Sequence, residues 1–102
     1  MASRLSLQSE LEALLGSRNV YFQPPESIRL NYPCIIYSRS SGEIEFANDM
    51  PYGYTKSYDV TIIDQDPDSE FVDKMYMAFP MIRFNRHYTS DNLNHDVFTI
   101  FY

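Results

Sequence analysis

The segment from Asn94 to Tyr102 constrains the fold of this chain most. One side of an extended strand there carries His95, Val97, Thr99 and Phe101. The other carries Asp96, Phe98, Ile100 and Tyr102. Apolar and β-branched residues on both sides predict a strand covered on both faces. No polar tail follows Tyr102, so the C-terminus is expected to be tied into a sheet. A domain that ends this way must be organised around that sheet.

The chain has 102 residues, which predicts one domain, 1–102, with one core. A chain of this size buries roughly 60–70% of its unfolded surface, enough to fold alone. The aromatic share is high, with 9 Tyr and 7 Phe. Phe is expected mainly in the core, and Tyr also where a surface is apolar in body and wet at the tip. The formal net charge of −6 argues against sequence-independent binding to a phosphate backbone, which needs a basic stripe. A lone cysteine, Cys34, excludes an intrachain disulfide and suits a reducing compartment. Its neighbours Ile35 and Ile36 favour a small buried hydrophobe over a nucleophile. No apolar run is long enough to span a membrane. The N-terminus lacks the basic-then-apolar order of a secretion signal.

Along the chain, Ser3 to Leu15 reads as a helix, with Leu7, Leu11, Leu14 and Leu15 on one stripe. Ser3 or Ser6 can cap its start, and Gly16 is placed to stop it. The stripe predicts packing on the sheet; the alternative is docking on another subunit. Asn19 to Phe22 is a short extended piece, which Pro24 and Pro25 end. Tyr32 to Ser38 reads as a buried strand. Glu43 to Phe46 is a further candidate strand inside a long stretch, Arg39 to Gly53, and loops of that length are often functional. Tyr54 to Asp64 alternates clearly. Asp66 as N-cap with Pro67 at the first helical position predicts a second helix, striped by Phe71, Met75, Ala78 and Phe79 and ended by Pro80. Met81 to Tyr88 is the next strand, with Ile82, Phe84 and Tyr88 on one side. Thr89 to Leu93 turns into the last strand. This order predicts an α+β domain, with a mostly antiparallel sheet and two helices packed against it.

Chemistry-bearing groups are sparse. Asp64, Asp66, Asp68 and Glu70 gather the oxygen ligands a hard cation wants. As a calcium loop the spacing fails, because Ser69 stands where Gly is required and Met75 where Glu is required. His87, Asp91, His95 and Asp96 match no helical two-histidine motif, and hydrogen-bonded structural histidines are the expectation. No nucleophile elbow, phosphate-cradling glycine loop or paired-cysteine zinc motif is present. The expectation is therefore no catalytic residue, no metal and no cofactor. Arg83 and Arg86 flank Phe84 and Asn85; against the overall acidity they are expected to pair with carboxylates, within the chain or across subunits. Phe46, Met50, Tyr52 and Tyr54 are the most suggestive interface group, since apolar and aromatic side chains anchor contacts. The alternative is burial of that loop in its own chain.

Asn19–Pro25 (Asn-Val-Tyr-Phe-Gln-Pro-Pro), Tyr32–Ser38 (Tyr-Pro-Cys-Ile-Ile-Tyr-Ser), Tyr58–Glu70 and Tyr88–Tyr102 form four distinctive tracts. Together they resemble the tail terminator (tail completion, or minor tail) proteins of long-tailed bacteriophages. The resemblance covers most of the chain and carries no catalytic motif. It implies a tail-terminator-like α+β fold and a ring, commonly of six copies, at the head-proximal end of the tail tube. Such a ring stops tube polymerisation and joins the tube to the head connector. The implied partners are the chain itself, the tail tube protein and head-completion or connector proteins, with genomic DNA passing through the lumen without specific binding. The implied location is the virion, after assembly in the host cytoplasm. A head-closure or other neck protein is the alternative role. For the contacts of such a ring the residues nominate Phe46, Met50, Tyr52 and Tyr54 as anchors. Asp64, Asp66 and Asp68 supply charge at a subunit boundary or lumen.

Overall fold

A computed structural model describes residues 4–40 and 56–102 of the chain. The elements, in order, are α1 (Arg4–Leu15), β1 (Val20–Phe22), β2 (Cys34–Arg39), β3 (Ser57–Asp64), α2 (Glu70–Ala78), β4 (Ile82–Ser90) and β5 (Leu93–Phe101). The strands form one sheet in the order β1-β2-β3-β5-β4. β2, β3, β5 and β4 pair antiparallel, whereas β1 runs parallel to β2, from Val20 opposite Ile35 to Phe22 opposite Tyr37. The fold is thus α+β with a mixed sheet. The segment at Asn19–Phe22 joins that sheet as a parallel edge strand, which a three-residue piece cannot announce by its own alternation.

Both helices lie on one face. Leu7, Leu11 and Leu15 of α1 share a cluster with Phe71 and Met75 of α2 and with Phe79, which follows it. Val20, Ile35, Tyr37, Tyr58, Val60, Ile62, Phe98 and Ile100 complete that cluster from the sheet. The leucine stripe therefore packs on its own sheet. Gln8 fastens α1 further, donating to the Val20 carbonyl (3.0 Å) and accepting from the Tyr37 hydroxyl (2.5 Å). Gly16 ends the helix at φ +80°, with its N–H donating to the Glu12 carbonyl (2.8 Å). This is the left-handed cap that glycine adopts without a Cβ penalty.

No helix among the described residues covers the opposite face. On it Val97 and Phe101 are half-buried and Tyr88 is exposed. Thr99, Ile63 and Cys34 on that face are nevertheless buried, so the double-sided cover expected for the last strand is complete on the side of Phe98 and Ile100 and partial on the other. A polar relay crosses the open face instead. Asn85 Nδ2 donates to Thr99 Oγ1 (2.7 Å), and Thr99 Oγ1 donates to Asp59 Oδ1 (3.0 Å).

Two further expectations change. A register shift between Phe84 and Arg86 inserts Asn85 as a bulge. An extra residue inverts the alternation downstream, so Ile82 and Phe84 face the helices but Tyr88 pairs with His95 on the open side. The turn is also tighter than Thr89–Leu93. Asp91 (φ 54°) and Asn92 (φ 63°) alone link β4 to β5, the positive-φ pair that suits the twist of a two-residue hairpin. The end of the chain is tied down. The Phe101 N–H donates to Met81 O (3.0 Å), the Tyr102 N–H donates to Lys56 O (2.9 Å), and the Tyr102 hydroxyl donates to the Glu10 carboxylate of α1.

Candidate interaction surfaces

The acidic turn between β3 and α2 is built by its own side chains. The Asp66 N–H donates to Asp64 Oδ1 (3.1 Å), and the Asp68 N–H donates to Asp66 Oδ1 (2.9 Å). Two successive Asx turns therefore occupy the carboxylates expected to cap the helix. The N-cap is Ser69, whose Oγ accepts from the Phe71 N–H (3.3 Å), and α2 begins at Glu70. This corrects the assignment of Asp66 and Pro67 to the helix start. Asn94 holds the turn to β5, donating from Nδ2 to the carbonyls of Asp64 (3.4 Å) and Gln65 (3.3 Å). Asp66 and Asp68 are exposed, and Asp64 is half-buried at the strand end. No three His, Cys, Asp or Glu side chains among the described residues are placed to hold a metal ion.

Beside the turn, at the N-terminus of α2, lies a recess of about 270 Å³ lined by Pro67, Asp68, Ser69, Val72, Asp73 and Asp96. Asp96 comes from the middle of β5, on the helix-covered side, opposite Ile62 and His87. It is only 7% exposed, and among the described residues its carboxylate has no hydrogen-bond donor. Burial pushes its carboxyl pKa up; the nearby His87 and His95 act the other way. The positive end of the α2 dipole suits such a carboxylate. Sequence reasoning did not single out Asp96 as an interaction residue. The available signal was an acid on the otherwise apolar stripe of Phe98 and Ile100.

The histidines do not converge. His87 Nε2 is 3.2 Å from Asn94 Oδ1, on the helix side of the sheet. His95 stacks on Tyr88 at 4.6 Å between centroids, with planes 9° apart, on the open side. Strand pleating thus sends the two rings to opposite faces of the sheet.

The outer strand β4 runs nine residues and is exposed along nearly its whole length, from Arg83 to Ser90. Phe84 leans on Phe98 at 5.4 Å and is still 42% exposed. Neither Arg83 nor Arg86 has a carboxylate partner among the described residues; the one ion pair there joins Lys74 to Glu70 (3.8 Å). Arg86 instead lies over the Tyr88 ring at 5.3 Å. The expected pairing of these arginines within the chain is not made among those residues. Of the anchors nominated from sequence, Phe46, Met50, Tyr52 and Tyr54 lie outside the described residues.

Cys34 is fully buried, and burial raises its thiol pKa to about 11. A thiol in that state is a weak nucleophile at neutral pH. No helix among the described residues is long and apolar enough to cross a membrane. No protein-family model, no curated protein and no solved structure matches the chain.

Proposed function

We propose that this chain is a structural subunit of a bacteriophage tail, acting as the terminator ring at the head-proximal end of the tube. It catalyses nothing in this reading and works by shape. One ring face fits the last layer of tube protein. The other fits the head connector and refuses a further tube subunit, which requires unlike contacts on the two faces. The reading draws on the likeness of the four sequence tracts to tail terminator proteins.

The observation that carries the assembly argument is the asymmetry of the sheet. One edge is β1, three residues long and parallel to its neighbour; the other is β4, nine residues long and exposed. A subunit with two unlike lateral edges suits head-to-tail contact between copies, and head-to-tail contacts generate rings when the rotation closes. An exposed edge strand is also a ready template for another chain. The acidic surface fits a lumen that DNA slides through, because like charge discourages binding to phosphate.

Removing the gene from a phage that carries it tests the role. Overlong tubes without heads support the terminator. Tubes of normal length that fail to join filled heads favour the head-closure alternative, and infectious particles of normal appearance refute both.

A further inference from the structure

The two sides of the outer strand differ in chemistry. β4 carries Arg83, Arg86 and His87 and no acid, in a chain of net charge −6. Arg83 pairs with Thr99 and Arg86 with Val97, so both arginines lie on the open side of the sheet. Ile82 pairs with Ile100 and Phe84 with Phe98, on the helix side. There Phe84 and Tyr76 of α2 both meet Phe98 edge-on and stay 42% and 48% exposed. The edge therefore offers cations on one side and an apolar shelf on the other. Among the described residues no strand lies beyond β4. A strand added to such an edge gains backbone hydrogen bonds from it and selectivity from its alternate side chains. The fitting strand carries acids on one side and apolar groups on the other.

The segment Glu43–Phe46 has that pattern. As a strand it sets Glu43 and Glu45 on one side and Ile44 and Phe46 on the other. Residues 41–55, which contain it, lie outside the described residues. They hold Glu43, Glu45 and Asp49 and no Lys, Arg or His. Both ends of this stretch meet the sheet at the end where β4 begins, because Arg39 pairs with Tyr58, Tyr58 with Ile100 and Ile100 with Ile82. Reach then decides between the chain's own β4 and that of a second copy. The place outside β4 is four strand spacings from β2, about 19 Å. Glu43 is three residues beyond Ser40, a span of at most roughly 11 Å. A chain therefore cannot lay Glu43–Phe46 along its own β4. Pairing of β4 with β4 of a second copy is disfavoured as well, since an antiparallel match centred on the strand sets Arg86 against Arg86. The arginines and the bulge at Asn85 blunt the edge against strands that lack acids.

We propose that the outer edge of β4 receives the segment Glu43–Phe46 of a second copy as an added strand, with Glu43 and Glu45 beside Arg83 and Arg86 and with Ile44 and Phe46 beside Phe84 and Tyr76. This rests on the ring reading above and names its lateral contact. Each copy gives a segment from one place and receives one at another, so the contact is head to tail.

Three charge-reversed full-length variants test it. The first carries Arg83→Glu and Arg86→Glu, the second Glu43→Lys and Glu45→Lys, and the third all four. Circular dichroism checks that each folds. Sedimentation velocity reads assembly at matched concentrations, and hydrogen exchange followed by mass spectrometry reads the β4 amides. The wild type should assemble beyond a dimer as concentration rises, and exchange of the outward β4 amides should slow at least tenfold with it. The first two variants should associate at least tenfold more weakly. The third should assemble again, because its reversed charges once more face opposite ones. Should a variant fail to fold, wild-type exchange decides alone. A wild type that stays monomeric at the highest concentration reached overturns the inference. Slow β4 exchange at every concentration also overturns it, as the mark of an occupant from the same chain. Assembly that stops at a dimer overturns it in favour of β4 against β4. Either of the first two variants associating like wild type, or the third staying apart, counts against it equally. If wild-type rings are seen by electron microscopy and β4 exchanges in them as in the monomer, this contact is wrong while the ring reading survives.

Discussion

Phe98 is the aromatic node of the sheet, and its removal tests how the outer strand is held. Its side chain is fully buried, with Tyr76 of α2 edge-on at 5.6 Å and Phe84 of β4 edge-on at 5.4 Å. Truncating a buried Phe to Ala costs about 3–5 kcal/mol. Phe84 is 42% exposed, so Phe84→Ala loses roughly half of a buried ring's transfer energy, about 1–2 kcal/mol. The two rings touch, and an edge-to-face pair contributes about 0.5–1.5 kcal/mol beyond area. The double variant should therefore fall short of the sum by about that amount. The assay is urea unfolding followed by tyrosine fluorescence and circular dichroism. With a slope of about 2 kcal/mol/M, a loss of about 4 kcal/mol moves the midpoint by roughly 2 M. Where Phe98→Ala leaves too little folded protein, Phe98→Leu, at about 1–2 kcal/mol, closes the cycle instead. A coupling indistinguishable from zero, or Phe84→Ala as costly as Phe98→Ala, refutes the claim that β4 is held to the core through this ring.

Four other outcomes are expected. Gly16→Ala should cost about 1 kcal/mol for its left-handed backbone alone, because a Cβ there meets nothing within 4 Å; unchanged thermal stability contradicts the cap. Ser69→Ala should cost about 1 kcal/mol, whereas Asp66→Ala leaves α2 capped, and a larger loss at Asp66 would restore the other helix start. Burial raises the Asp96 pKa, with His87 and His95 opposing and Asp64 adding to the rise. The native state then holds a proton that the unfolded state has released, so stability falls as pH climbs from the unfolded value through the raised one. Asp96→Asn should therefore raise the melting temperature at pH 7 and lose that gain below the unfolded carboxyl pKa of about 3.9; destabilisation at pH 7 contradicts the unpaired carboxylate. Cys34, raised to about 11 by burial, should resist thiol reagents at pH 8 until the protein unfolds, and prompt labelling of the native chain refutes its burial.

The legible parts of the fold were those encoded locally. Leu7, Leu11 and Leu15 mark a helix face at helical spacing, Gly16 marks its end, and Tyr58, Val60 and Ile62 mark a strand face. Three features were set by competition that periodicity does not record. The carboxylates of Asp64 and Asp66 accept N–H groups two residues onward, so the capping role passed to Ser69. The bulge at Asn85 turned Tyr88 over, although Phe84 and Tyr88 share an even spacing. The parallel pairing of β1 depends on a partner more than ten residues away in sequence, and so short a strand carries no signal of direction. Apolar residues on both faces of β5 also hid which face the helices would choose. As for the candidate surface, the acidic turn was visible as a string, but the place of Asp96 needed the third dimension. Its neighbours in the recess come from a loop and a helix that only the fold brings beside β5.

The central claim is that copies of this chain close into a ring at the junction of tail and head. Electron cryomicroscopy of phage particles containing the protein measures this directly, by locating the chain in the density. A closed ring of identical copies between the last tube layer and the connector is the predicted result. A single copy in the particle, or a position away from that junction, contradicts it.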